Sequence, residues 1–135
     1  MKNYRIFPFL LALCLLLTGC RGANNDISRQ QIIDAYEAAG YRVSSRVYAS
    51  PVEFGQVAYV RADQPDGDQY VYFTFFDTEE NARAYAKTKD HPVMLSLFSL
   101  IYGQPQWLRV QCYGSIVVEY WDSQLMRPFR QLQSA

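Results

Sequence analysis

Histidine occurs once in this chain and cysteine three times, and the thirteen Lys and Arg are balanced by thirteen Asp and Glu. Each shortage excludes something. The usual metal sites need several His, Cys or carboxylate side chains in register, and no such cluster exists, so no metal is expected. Without a basic block there is no electrostatic footprint for nucleic acid, and there is no acidic tail or low-complexity tract. A Gly-rich phosphate loop, a Gly-x-Ser-x-Gly elbow and a His-Glu-x-x-His pair are all missing, and no cofactor is expected. Glycine is sparse as well, seven in 135 residues. Each one is therefore informative as a stop or a turn.

What is present begins with "MKNYR", basic through Lys2 and Arg5, followed by the uncharged run "IFPFLLALCLLL". A membrane-spanning helix needs about 20 apolar residues, so this run is too short for an ordinary span and reads as a secretory signal. Pro8 would kink a helix there without altering that pattern. The run ends in Leu17-Thr18-Gly19-Cys20. This tetrad resembles the lipobox of bacterial lipoproteins: Leu, a small residue, Gly or Ala, then Cys. The resemblance covers the first twenty residues alone. It implies cleavage between Gly19 and Cys20, a diacylglyceryl thioether on the Cys20 sulfur, and membrane attachment through acyl chains such as palmitate. Two such chains anchor stably, each buried methylene adding about 0.8 kcal/mol. An ordinary cleaved signal and an uncleaved hydrophobic anchor are the alternatives for the segment. By the same resemblance, Arg21 is not the Asp associated with inner-membrane retention, which favours the outer membrane if the envelope has one.

The expected organisation is a signal peptide over 1–19, the lipidated Cys and a short tether over 20–27, and a single domain over 28–135. Without Lys2 and Arg5 the mature chain keeps eleven basic against thirteen acidic side chains. At about 3.3 Å per residue the tether reaches at most roughly 25 Å, so the domain sits close to the membrane. Cys14 leaves with the signal and Cys20 would be lipidated, which leaves Cys112 unable to form an internal disulfide. Alternation with Leu108 and Val110 predicts that Cys112 is buried.

Ser28 and Gln31 form a capping-box pair for a helix whose Ile32, Ile33, Tyr36 and Ala39 share a face, and Gly40 stops it. "YRVSSRVY" (41–48) alternates as a strand with one wet face, ahead of a turn at Pro51. "QVAYVRA" and "QYVYFTFF" are strands joined across "DQPDGD", where Pro-Asp-Gly signals a turn. Asp63, Asp66 and Asp68 lack the alternation and the terminal Glu of a calcium loop. Asp77, with Glu80, is expected to cap the helix "TEENARAYAKTK", turning Ala82, Tyr85 and Ala86 inward. After Asp90-His91-Pro92 a second helical segment, 93–102, is apolar almost all round. It reads as buried, or as turned toward lipid or a partner. The strands "QWLRVQCY" and "IVVEYW" follow. A two-residue Gly114-Ser115 loop would set Val110 opposite Glu119. A three-residue loop from Tyr113 aligns Leu108, Val110 and Cys112 with Ile116, Val118 and Tyr120, and the apolar pattern favours it. A terminal helix carries Leu125, Met126, Phe129 and Leu132 on one side. The class is α+β: an antiparallel sheet of about five strands in the order α-β-β-β-α(α)-β-β-α, with helices mainly on one face.

The candidate binding face is the second side of that sheet: Trp107, Arg109, Tyr113 and Trp121, with Tyr70 and Tyr72, joined by Glu119 and by Tyr59 and Arg61 if the register matches. Aromatic rings beside guanidinium groups bind sugars, peptides or other flat groups by stacking and cation–π contact. The competing reading is structural, since aromatics are favoured in strands and pair across them. The functional expectation is a membrane-anchored, extracytoplasmic, non-catalytic module that meets an envelope protein or a small ligand on this face. The alternative is a small envelope hydrolase using His91 and a carboxylate.

Overall fold

The structure, a computed structural model, describes residues 26–89 and 108–135. The lipobox, His91, the segment 93–102 and Trp107 lie outside the described residues. Helix α1 (Arg29–Ala38) starts as its sequence dictates: Ser28 Oγ accepts from the Gln31 N–H at 3.2 Å, and Gln31 Oε1 accepts from the Ser28 N–H at 2.8 Å. At its other end the Tyr41 N–H reaches the Tyr36 carbonyl and the Gly40 N–H the Glu37 carbonyl, each at 3.0 Å. This double closure needs a left-handed residue, and Gly40 supplies it at φ 89°.

Five strands follow among the described residues: β1 (Arg42–Val52), β2 (Gln56–Asp63), β3 (Tyr70–Phe76), β4 (Arg109–Tyr113) and β5 (Ile116–Tyr120). They form one antiparallel sheet in the order β1-β2-β3-β5-β4. Helix α2 (Glu79–Lys89) joins β3 to the later strands, and α3 (Arg127–Gln133) closes the chain. The α+β class and the antiparallel five-stranded sheet are as expected.

Of the three described helices, α1 and α3 pack on one face and α2 on the other. The first face holds the main core: Ile32 and Tyr36, both 0 % exposed, meet Val60, Val71, Phe73, Val118, Tyr120 and Phe129. The second holds a smaller cluster in which Ala82, with Tyr85 and Ala86 beside it, packs on Phe76, Val117 and Val110.

Three local expectations are corrected. Strand β1 runs through Pro51, which an edge strand tolerates because an outward position there needs no N–H. The turn falls instead at the 3₁₀ segment Glu53–Gly55. Thr78, not Asp77, caps α2, its Oγ1 accepting from the Asn81 N–H at 3.1 Å. Asp77 is otherwise engaged: its carboxylate accepts from the Asn81 side-chain amide at 2.7 Å and its N–H donates to the Gly55 carbonyl at 2.9 Å.

The third correction bears most on function. Strands β4 and β5 join through the two-residue loop Gly114-Ser115, with Tyr113 opposite Ile116 and Val110 opposite Glu119. All five residues of β5 are buried, because helices cover both of its faces. Alternation therefore does not set its register, and the turn does: Gly114 at φ 58° holds the first central position of a tight hairpin. Cys112 is accordingly not buried. It is exposed on the short edge strand β4, its Sγ 3.7 Å from the Ala82 carbonyl, and the cover from α2 pushes the thiol up from its ordinary value.

Thr74, between Tyr59 and Val117 in register, is 1 % exposed, and among the described residues its Oγ1 has no hydrogen-bond partner. An unmet buried hydroxyl carries a desolvation penalty that a methyl group does not. Thr74→Val is expected to raise stability by about 1 kcal/mol. A denaturation midpoint that stays level or falls would contradict this.

Candidate functional site

The corrected register divides the expected binding face. Tyr70 and Tyr72 point to the α2 side of the sheet, together with Tyr59, Arg61 and Glu119. Arg109 and Tyr113 lie on the opposite side, where the Tyr113 ring packs edge-on against Phe129 at 5.0 Å as part of the core. Trp121 leaves the end of β5 and lines a cleft beside Tyr70.

On the α2 side a row of tyrosines crosses three strands. Arg46 lies opposite Tyr59, and Arg61 opposite Tyr72, so Tyr48, Tyr59 and Tyr72 meet as diagonal neighbours. The Tyr59 and Tyr72 rings stack at 5.3 Å and 17°, with Tyr48 at 6.4 Å from Tyr59. Cations sit over the flanking rings: Arg46 over Tyr48 at 5.5 Å, Arg61 over Tyr70 at 4.2 Å and Lys89 over Tyr85 at 5.3 Å. Burial, with Tyr48 and Tyr59 close by, pushes the Tyr72 hydroxyl up to about 12. Sequence reasoning misses Tyr48, because the alternation ends there while the strand continues to Val52.

Glu119 closes the row, 8 % exposed and 3.8 Å from Lys89 Nζ. Burial raises its carboxyl above the ordinary value, against the pull of Lys89. The native state then holds the proton more tightly than the unfolded chain, and this group's contribution to stability falls as pH rises above about 4.5. Glu119→Gln removes that loss. The stability of the variant relative to wild type should improve from pH 4 to pH 7, read from denaturation midpoints. A difference that worsens with rising pH would have the opposite sign.

The cleft opens at the end of the sheet, with a volume of about 1260 Å³. Four pieces of chain build it. Tyr41 follows the closure of α1, and its hydroxyl is pushed up by burial and by the Asp122 carboxylate. Gln64 and Gln69 stand at the base of the β2–β3 turn, pinned by the Gln64 N–H to Gln69 carbonyl bond at 3.0 Å, with Tyr70 next to them. Trp121 and Asp122 come from the end of β5, where Asp122 Oδ1 accepts from the Gln124 N–H at 2.9 Å. Gln124, Arg127, Arg130 and Gln131 complete the wall from the C-terminal segment. Three aromatic rings thus share a cavity with amides, carboxylates and guanidinium groups. The sequence signals for it are weak, since its residues come from four separate chain ends and only Tyr70 and Trp121 stand out.

Among the described residues no group of three or more His, Cys, Asp or Glu side chains could hold a metal ion. No protein-family model, curated protein or solved structure matches the chain.

Proposed function

We propose that this chain is a lipid-anchored, extracytoplasmic binding module that takes a saccharide in the cleft at the end of its sheet. The observation that carries the reading is the lining: Tyr41, Tyr70 and Trp121 around one open cavity that also holds four glutamines, Asp68 and Asp122. A pyranose ring has a flat C–H face and a rim of hydroxyls. Aromatic faces suit the first, and amides and carboxylates, which donate and accept, suit the second.

Anchoring fits the same geometry. The lipobox puts the lipid on Cys20, a few residues before the capped start of α1 at Ser28. The cleft includes Ala39 and Tyr41 beyond the other end of α1, a separation of about 15 Å along a ten-residue helix. The cleft therefore lies at the end of α1 opposite to the one the tether precedes. If the envelope has an outer membrane, that membrane is the proposed site of attachment.

Trp121 gives the test its signal. Full-length protein in detergent micelles is titrated with a panel of neutral and amino-sugar oligosaccharides while tryptophan emission is followed. At least one sugar should change the emission saturably, and Tyr70→Ala and Gln64→Ala, which leave the reporter in place, should each weaken or abolish the change. No response to any sugar would count against the reading, as would a response that survives both substitutions.

A further inference from the structure

Strand β1 ends the sheet, and among the described residues nothing pairs with its outer edge. Its regular ladder to β2 runs over Arg42–Val47, about 20 Å at 3.3 Å each, before the pairing shifts toward Val52. Its charge is of one sign. Arg42 and Arg46 are exposed and Arg42–Val52 contains no acidic residue. Arg29, from α1, donates from Nη1 to Ser45 Oγ at 2.7 Å, which brings a third guanidinium to the same edge. The carboxylate opposite Arg42 in register, Asp63, is already held by Arg61 at 2.8 Å. Apolar surface accompanies the charge, with Val47 60 % and Val52 43 % exposed.

We propose that β1 is a strand-addition site for an extended acidic segment of a partner protein. An added strand satisfies the free N–H and C=O groups of the edge, and the alternation of its side chains sets specificity. Acidic side chains on the added strand meet Arg42 and Arg46, and an apolar one on the other face meets Val47. A second copy of this chain fits worse: antiparallel pairing of two β1 edges brings arginines of one copy beside those of the other, and like charges across strands repel. The strand begins next to Tyr41 of the cleft, but the proposal does not depend on what the cleft binds.

The test uses the full chain in detergent micelles and two synthetic peptides, Glu-Val-Glu-Val-Glu-Val-Glu and its Lys-for-Glu counterpart. Hydrogen exchange and amide chemical shifts are recorded residue by residue. The acidic peptide should slow exchange at alternate amides of Arg42 to Val47 by about tenfold, and the basic peptide should not. The double variant Arg42→Glu, Arg46→Glu should reverse that preference. Unprotected β1 amides in the presence of the acidic peptide would overturn the proposal, showing that the arginines only guard the edge. Equal protection by both peptides would overturn it too, as would β1 protection that appears with rising protein concentration alone.

Discussion

Replacing Tyr36 by alanine is expected to remove about 4 kcal/mol of stability, a large part of the 5 to 15 kcal/mol typical of a domain. The ring is 0 % exposed at the centre of the main core, edge-on to Tyr41 at 5.1 Å and to Phe73 at 5.4 Å. Its hydroxyl donates to the Leu125 carbonyl at 2.7 Å across a separation of 89 residues. Alanine loses both the burial and the hydrogen bond, and leaves a cavity between α1 and the sheet. Tyr36→Phe isolates the second loss: the ring stays and a buried carbonyl loses its donor, at a cost of about 1 to 2 kcal/mol. Tyr41 and Leu125 both line the cleft, so the Phe variant should also weaken any ligand bound there. Chemical denaturation of both variants decides the matter. A loss below about 1.5 kcal/mol for alanine would mean that Tyr36 is not the tie between helix and C-terminal segment.

The second large effect is all or none. Cys20→Ser replaces the only atom of the tetrad that can form a thioether, so the variant should incorporate no metabolic lipid label and remain unprocessed. Retention of the 19 residues that precede Cys20, seen by mass spectrometry, would accompany that loss. Normal labelling of the Cys20→Ser variant would remove the basis for a lipid anchor at this position. The domain itself should fold in either case, because the core formed by the described residues includes residues from Ile27 to Leu132.

Local signals in the sequence carry through to the structure where one short motif decides one short element. The Ser28–Gln31 capping box, the stop at Gly40, the Pro-Asp-Gly turn between β2 and β3 and the inward Ala82 and Tyr85 all depend on near neighbours. Register between β4 and β5 does not. The apolar pattern presupposes one wet face, but β5 lies between β3 and β4 with helices on both sides, and burial of all five residues erases the alternation. One residue of slip then moves Tyr113 into the core and leaves Cys112 exposed. The same slip separates Arg109 and Tyr113 from Tyr70 and Tyr72. The cleft is harder still to read, since Tyr41, Gln64, Trp121 and Arg130 are brought together only when the ends of α1, β2, β5 and the C-terminal segment meet.

The most direct test of the cleft as a binding site is a residue-resolved NMR titration of the full chain in micelles with the oligosaccharide panel. A bound sugar should shift the Trp121 indole N–H, the amides of Tyr41 and Tyr70 and the side-chain amides of Gln64, Gln69 and Gln124. The stacked row Tyr48, Tyr59 and Tyr72 should remain unmoved. Shifts confined to that tyrosine row, or none at all with any sugar, would contradict it.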